Sequence, residues 1–460
     1  MRENGVSLQP NPTGVTIITR AGPLRKRDYN FPEMKHYAFP AGVTRDTLLR
    51  WFHEGRARTS QIFQIPVADA YFSRPIALRN PIVFYEGHLP AFCVNTLIKL
   101  ALGQPGIDEN LEILFARGID PDSEDAVKDP GSVWPSREQV QQYGATADAM
   151  IERALREATI EDDAVPQLRG AEAAFAILEH EQMHQETLLY MLHNLPHERK
   201  IGRAPLVASS TRASADTRQE SIAIPAGVAT VGADRDTLGF GWDNEFPAQR
   251  IPVDAFSIDK HSVTNGDWLE YMRATGAPAP HFWREVDGQW HLVGMFSLAP
   301  LPLDAPVYAT HDEATAYATW RGKRLPTEAE YQRAAYGTAS GEERRYPWGD
   351  EPPDETRGNF GFTNWDPVAI GSYPAGTSAW GVHDLVGNGW EWTSTVFDGL
   401  PGFEPMPSYP VYSSDFFDGQ HYVMKGASPV TAPELIRPSF RNWFRPNYPY
   451  VYAKFRCASS

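Results

Sequence analysis

From residue 44 onward the apolar positions fall three and four apart, the period of a helix with one buried face. Leu48, Leu49, Trp51 and Phe52 set the face of a first helix over 44–63. A second, over 81–102, carries Phe84, His88 and Phe92 at steps of four. Pro90 lacks an N–H, so it should kink this helix or mark its early turns. A third helix is predicted over 136–158 and a fourth over 169–195. Residues 1–40 are polar, hold prolines, show no period and read as an extended arm. Four long helices with loops between them predict an antiparallel bundle over 41–198, an architecture that builds metal sites from facing helices.

The texture then changes. Small and polar residues over 199–220 read as an interdomain linker. Over 221–460 glycine, proline and tryptophan become frequent, strands are short, and few helical runs remain: 265–275, 313–320 and 327–335. The last opens on Pro326-Thr-Glu-Ala-Glu330, with threonine as N-cap and glutamate three residues on. No internal repeat and no low-complexity segment is visible. The fold class expected is α+β, a four-helix bundle followed by a second, loop-rich domain that uses large rings as its core.

The fourth helix holds the most informative run, Leu178-Glu-His-Glu-Gln-Met-His-Gln-Glu-Thr-Leu-Leu-Tyr190. His180 and His184 are one turn apart on one face. The stripe through them reads Ile177, His180, His184, Leu188 and Met191, so both rings point toward the core. Such a pair is as often packing as metal binding. A third imidazole changes the balance: His88, in the otherwise apolar second helix, faces the bundle. Three neutral imidazoles on a divalent ion leave open positions, which suits iron taking O2 and substrate, or catalytic zinc. Glu186 lies about 120° off the face of His180 and reads as a supporting or surface residue.

Composition narrows the class. A chain of 460 residues should hold two domains. With 58 acids against 42 bases, a net charge of −16 and no long basic run, tight nucleic-acid binding is excluded. Two cysteines, Cys93 and Cys457, rule out a disulfide scaffold and an all-cysteine zinc site, and fit a reducing cytosol. Met1-Arg-Glu-Asn-Gly-Val has no apolar signal region, and no uninterrupted run of about 18 apolar residues exists. The expectation is a cytoplasmic protein with small-molecule partners, neither nucleic acid nor membrane.

Several stretches of the second half resemble the formylglycine-generating-enzyme/sulfatase-modifying-factor domain, a variant of the C-type-lectin fold. They are Phe256-Ser-Ile-Asp-Lys-His-Ser-Val-Thr-Asn265, Trp320-Arg-Gly-Lys-Arg-Leu-Pro-Thr-Glu-Ala-Glu-Tyr331, Tyr346-Pro-Trp-Gly-Asp350, Leu385-Val-Gly-Asn-Gly-Trp-Glu-Trp-Thr393, Arg441-Asn-Trp443 and Phe455-Arg456. The first half is similar to DinB-type four-helix bundles. Both together resemble the nonheme-iron sulfoxide synthases of ergothioneine and ovothiol biosynthesis, and their selenoneine-making relatives. The resemblance implies iron(II) on His88, His180 and His184, and O2-driven attack of a chalcogen on C2 of the imidazole of hercynine (histidine betaine). It also implies that Asn442 and Trp443 line the trimethylammonium pocket, where an aromatic face and oriented carbonyl dipoles suit a cation with no strong hydrogen to donate.

The chain departs from that pattern in four places. Met183 stands where glutamine is common. Phe444 replaces the acid that reads the amino group of a γ-glutamylcysteine substrate. The region expected to hold its carboxylates is Gly118-Ile-Asp-Pro-Asp-Ser-Glu-Asp125, which is acidic and would repel them. Leu400 replaces the tyrosine expected before Pro-Gly-Phe, and the alternative tyrosine pair would fall near Gly118 and Ile119. Substrate contacts are therefore expected from Met183, Asn442, Trp443, Phe444 and Arg445, with Tyr85, Tyr412 or Tyr422 as replacement proton donors. A selenosugar donor, giving selenoneine, is preferred over cysteine or γ-glutamylcysteine, giving ergothioneine sulfoxide. A metal-dependent DinB-type thiol transferase and a noncatalytic binding module are the rival classes. Arg441 and Arg456 are expected to anchor loops, Trp348, Trp390 and Trp392 to fill the core, and both cysteines to be inert.

Overall fold

The computed structural model describes residues 44–116, 134–202 and 220–460. The arm expected over 1–40, the acidic run 118–125 and most of the linker lie outside the described residues. Helix α1 (Arg45–Ile62) begins where the Thr44 side chain accepts the N–H of Thr47. Helix α2 (Ile82–Cys93) buries every residue except Glu86. Pro90 lies in the last half of this helix and not in its early turns, and the helix runs on through a wider π-type stretch, Val94–Ala101. Helix α3 (Glu109–Leu114) is short and was not expected. Helices α4 (Arg137–Glu157), with a Ser136/Gln139 capping box, and α5 (Glu172–His193) complete the bundle. In it α1 packs on α4 and α5, and so does α2.

The second half carries α6 (Asn265–Thr275), α7 (His311–Trp320) and α8 (Glu328–Tyr336). Each starts from a threonine in a capping box: Thr264 with Asp267, Thr310 with Glu313, Thr327 with Glu330. The strands are β1 (Ser221–Ile224), β2 (Gly227–Val231), β3 (Gln249–Val253), β4 (Phe256–Asp259), β5 (Trp283–Val286), β6 (Gln289–Val293), β7 (Leu298–Pro300), β8 (Gly389–Val396), β9 (Tyr422–Ala427), β10 (Asn442–Phe444), β11 (Ala453–Lys454) and β12 (Ala458–Ser459). A four-stranded sheet of order β10-β9-β8-β11 faces the bundle through Trp390 and the turn at Thr431. The fold class is α+β, as expected.

One hydrophobic core runs from α1 and α2 through α5 into this sheet. As a result α5 has no solvent face, where the sequence suggested a single buried stripe. Its only residues that are not buried are Met183, His184 and Thr187, and all three border the cavity described below. The polar positions of α5 are buried too, and they divide between the two halves. Toward α1, Glu181 takes Thr59 Oγ1 at 2.6 Å and pairs with Arg56 at 3.0 Å, while Gln185 Nε2 donates to the Gly55 carbonyl at 2.9 Å. Toward the second half, Glu179 receives Arg437 through two bonds of 2.7 and 2.9 Å. Arg437 also binds Glu245, at 2.6 and 2.8 Å. Glu186 accepts Trp390 Nε1 at 2.6 Å and Thr431 Oγ1 at 2.8 Å. Glu186 is therefore a buried tie between the halves and not a surface residue. Helical period alone cannot reveal a second wall supplied from more than 200 residues away.

Candidate active site

His88 projects from α2, and His180 and His184 from α5. Their ring centroids lie 5.1, 4.9 and 4.4 Å apart. One nitrogen from each ring comes within 4.8 Å of the others, and among the described residues no other cluster of three or more metal-ligating side chains forms. The Phe spacing of α2 supports the rings: Phe84 stacks on His88 at 5.0 Å and Phe92 on His180 at 3.5 Å. Nδ1 of His88 lies 2.8 Å from the Phe115 carbonyl, which fixes Nδ1 as the donor and leaves Nε2 its lone pair. Burial, then the neighbouring imidazoles, hold His180 and His184 well below the ordinary histidine range, so both rings are neutral. The Nδ1 atoms of both are buried with no hydrogen-bond partner among the described residues. Three neutral, convergent imidazoles without a carboxylate fit one divalent ion of borderline softness, and suit iron(II) and zinc alike.

The histidines open onto a cavity of about 390 Å³ closed by both halves of the chain. Met183, Asn442, Trp443, Phe444 and Arg445 all border it, as do Tyr85 and Tyr412. Asn442 Oδ1 accepts the N–H of Trp443 at 2.9 Å. One face of the Trp443 indole is stacked on Phe397 at 4.1 Å, and Tyr412 and Phe416 stand at 5.4 and 5.5 Å from it. Phe444 stacks on Tyr448 at 5.1 Å, giving an aromatic wall where an acid was the family expectation. The Tyr85 ring is 5.7 Å from His184. The Tyr412 hydroxyl donates to the Met183 sulfur at 3.4 Å. Tyr422 is not brought to the cavity; it stacks on His311 at 3.8 Å. Leu400 is buried away from the cavity as well.

Some cavity residues escaped the sequence reading. Tyr409 lies 6.4 Å from His180, and its spacing from Tyr412 in Tyr409-Pro-Val-Tyr412 was the available signal. Trp390 is core, as expected, but also borders the cavity, its indole N–H held by Glu186. Arg79 Nε donates to Tyr448 Oη at 3.0 Å. Also bordering the cavity, His421 Nδ1 lies 2.9 Å from Asp418, whose carboxyl also faces Arg445. Arg441 and Arg456 are loop anchors: Arg441 bonds Glu328 and the carbonyls of Asn244 and Asp398, and Arg456 grips Glu391. Cys93 and Cys457 are buried and free, and burial pushes the Cys93 thiol up to about 12.

Residues 207–460 match the family described as the sulfatase-modifying factor enzyme 1-like domain. A protein named hercynine oxygenase from Mycolicibacterium thermoresistibile is 34% identical over 70% of this chain and 74% of its own length. The protein of the same name from Mycobacterium tuberculosis is 36% identical over 61% of this chain and 70% of its own. Ergothioneine biosynthesis protein 1 of Neurospora crassa is 30% identical over 84% of this chain and 55% of its own.

Proposed function

This chain belongs to the hercynine oxygenase family, and on that premise we propose that it joins selenium or sulfur to C2 of the hercynine imidazole, using iron(II) and O2. The stoichiometry is one imidazole C2–H, one selenol or thiol and one O2 giving the selenoxide or sulfoxide and one water. The observation that carries this reading is the convergence of His88, His180 and His184 at a cavity bordered by Asn442 and Trp443. Bound by those three histidines, iron(II) supplies the electron transfer that makes O2 reactive.

The chain's own side chains supply the rest. Trp443 and the Asn442 carbonyl dipole host the trimethylammonium group. The aromatic walls Phe444 and Tyr448 keep water from the reacting carbon. Tyr412 and Tyr85 are the phenols at the cavity that hold or deliver a proton. Phe444 offers no charge to a peptide amino group, which favours a donor without a free amine, and a selenosugar whose amine is acetylated fits that description. The alternative, a thiol giving ergothioneine sulfoxide, is favoured by the names of the relatives.

The test is O2 uptake by anaerobically iron(II)-loaded protein with hercynine, offered a seleno-N-acetylhexosamine, cysteine and γ-glutamylcysteine in parallel, with product mass read out. Coupled product from the selenosugar alone is expected. Product from a thiol alone would move the reading to ergothioneine synthesis. His88→Ala is expected to abolish uptake and weaken iron binding; unchanged binding would overturn the three-histidine centre.

A further inference from the structure

The loop between β8 and β9 delivers Tyr409, Tyr412 and Phe416 to the cavity, yet it has no regular structure of its own beyond turns and one short 3-10 helix, Ser414–Phe416. Side chains from other segments hold it. At one end Glu172, the first residue of α5, accepts the N–H of Ser408 at 2.8 Å. At the other, two successive loop residues sit on two successive residues of a distant turn. Tyr412 stacks on Trp242 at 4.1 Å with an interplanar angle of 30°. Ser413 Oγ donates to Asp243 Oδ1 at 2.5 Å and accepts from Asn244 Nδ2 at 2.9 Å. Trp242 is itself fixed, its Nε1 donating to Glu179 Oε2 at 2.9 Å. Asp243, Asn244 and Ser413 are all buried.

We infer that Asp243 is a positioning residue for the reaction: by holding Ser413 it keeps Tyr412 stacked on Trp242 and aims its phenol, beside Met183, at the substrate. This rests on the reading of the cavity given above. Asp243 itself does not border the cavity, so a purely local effect on substrate binding is not open to it. Its effect runs through the bond to Ser413 and the peptide that joins Ser413 to Tyr412, with a second hold on the same loop at the backbone N–H of Met406. A phenol that must meet its proton partner within hydrogen-bond reach tolerates little displacement, and a shift of about 1 Å costs on the order of a hundredfold in rate.

The test compares Asp243→Ala, Ser413→Ala, Asp243→Asn and Tyr412→Phe in iron-loaded full-length protein. Asp243→Ala and Ser413→Ala are expected to lower kcat about tenfold or more. The KM for hercynine should move less than about twofold, and product formed per O2 consumed should fall. Asp243→Asn keeps an acceptor for Ser413 and is expected to restore most of both. Combining Asp243→Ala with Tyr412→Phe should add nothing to the loss in Tyr412→Phe, because the two act on one group. Additive losses, or a change in KM alone, would overturn the inference. A second readout needs no turnover. Hydrogen exchange of peptides over 406–418 should quicken about tenfold in Asp243→Ala and Ser413→Ala but not in Asp243→Asn. Equal protection in all of them would also overturn it. If the unmodified protein takes up no O2 with hercynine, the hercynine reading fails, while the exchange pattern still decides whether Asp243 anchors the loop.

Discussion

Glu172 and Asp243 are carboxyls pushed up by burial to about 7, against the pull of their hydrogen bonds and of Arg235. Their ordinary values are 4.5 and 3.8. A folded value above the unfolded one means that the fold favours the protonated acid. The stabilisation is therefore complete below the ordinary carboxylate range and is lost as pH rises through about 7. The thermal midpoint should fall by a few degrees between about pH 5 and about pH 8. Asp243→Asn, which cannot titrate, should flatten that slope in calorimetry; an unaltered slope would show that Asp243 is ionised throughout. Neither acid was legible in the sequence, because nothing local marks a carboxyl that will be buried by a loop 170 or 236 residues further on. The histidines were legible for the opposite reason. A step of four on an apolar helix is local information, and His88 carries its own Phe84 and Phe92 supports at the same step.

At the scale of the element, the long helices could be read because their period and caps are written in adjacent residues, Thr44 and the Thr327/Glu330 box among them. Helix α3 could not. It has six residues, and its Glu112 is held by the N–H groups of Ile107 and Asp108 and by Lys99 from the end of the second helix. Yet α3 matters to the site, since Phe115 at its end offers the carbonyl that orients His88. Gly87 makes room for that arrangement: a Cβ there would lie 2.4 Å from the Phe115 ring. Gly87→Ala should displace Phe115, loosen His88 and weaken metal binding about tenfold to a hundredfold, the usual loss when a supporting hydrogen bond to a metal-bound histidine is disturbed. Competition against a chelator of known affinity measures this. Unchanged affinity would mean that His88 holds its orientation without Phe115.

Across the whole molecule the decisive contacts are charged and buried. Arg437 neutralises Glu179 of the bundle and Glu245 of the second half at once. Arg437→Ala leaves two carboxylates without their cation in a site closed to water, and is expected to cost about 3–5 kcal/mol in denaturant unfolding. A loss below about 1 kcal/mol would show that the stranded carboxyls take up protons, as the Glu179 carboxyl, already pushed up to about 7 by burial, is placed to do. The composition announced two textures along the chain but not that they would share one core, since the residues that join them look like ordinary helix-surface glutamates. That sharing has a consequence for inheritance. Every residue of α5 that is not buried borders the cavity, so among the described residues the helix and the sheet that covers it make a single fitted joint. A gene that passed on the bundle without the sheet would transmit three histidines and no chamber, and the reverse would transmit a chamber and no histidines. Neither fragment holds the whole site, and a substitution on one side of the joint changes what the other side must pack against.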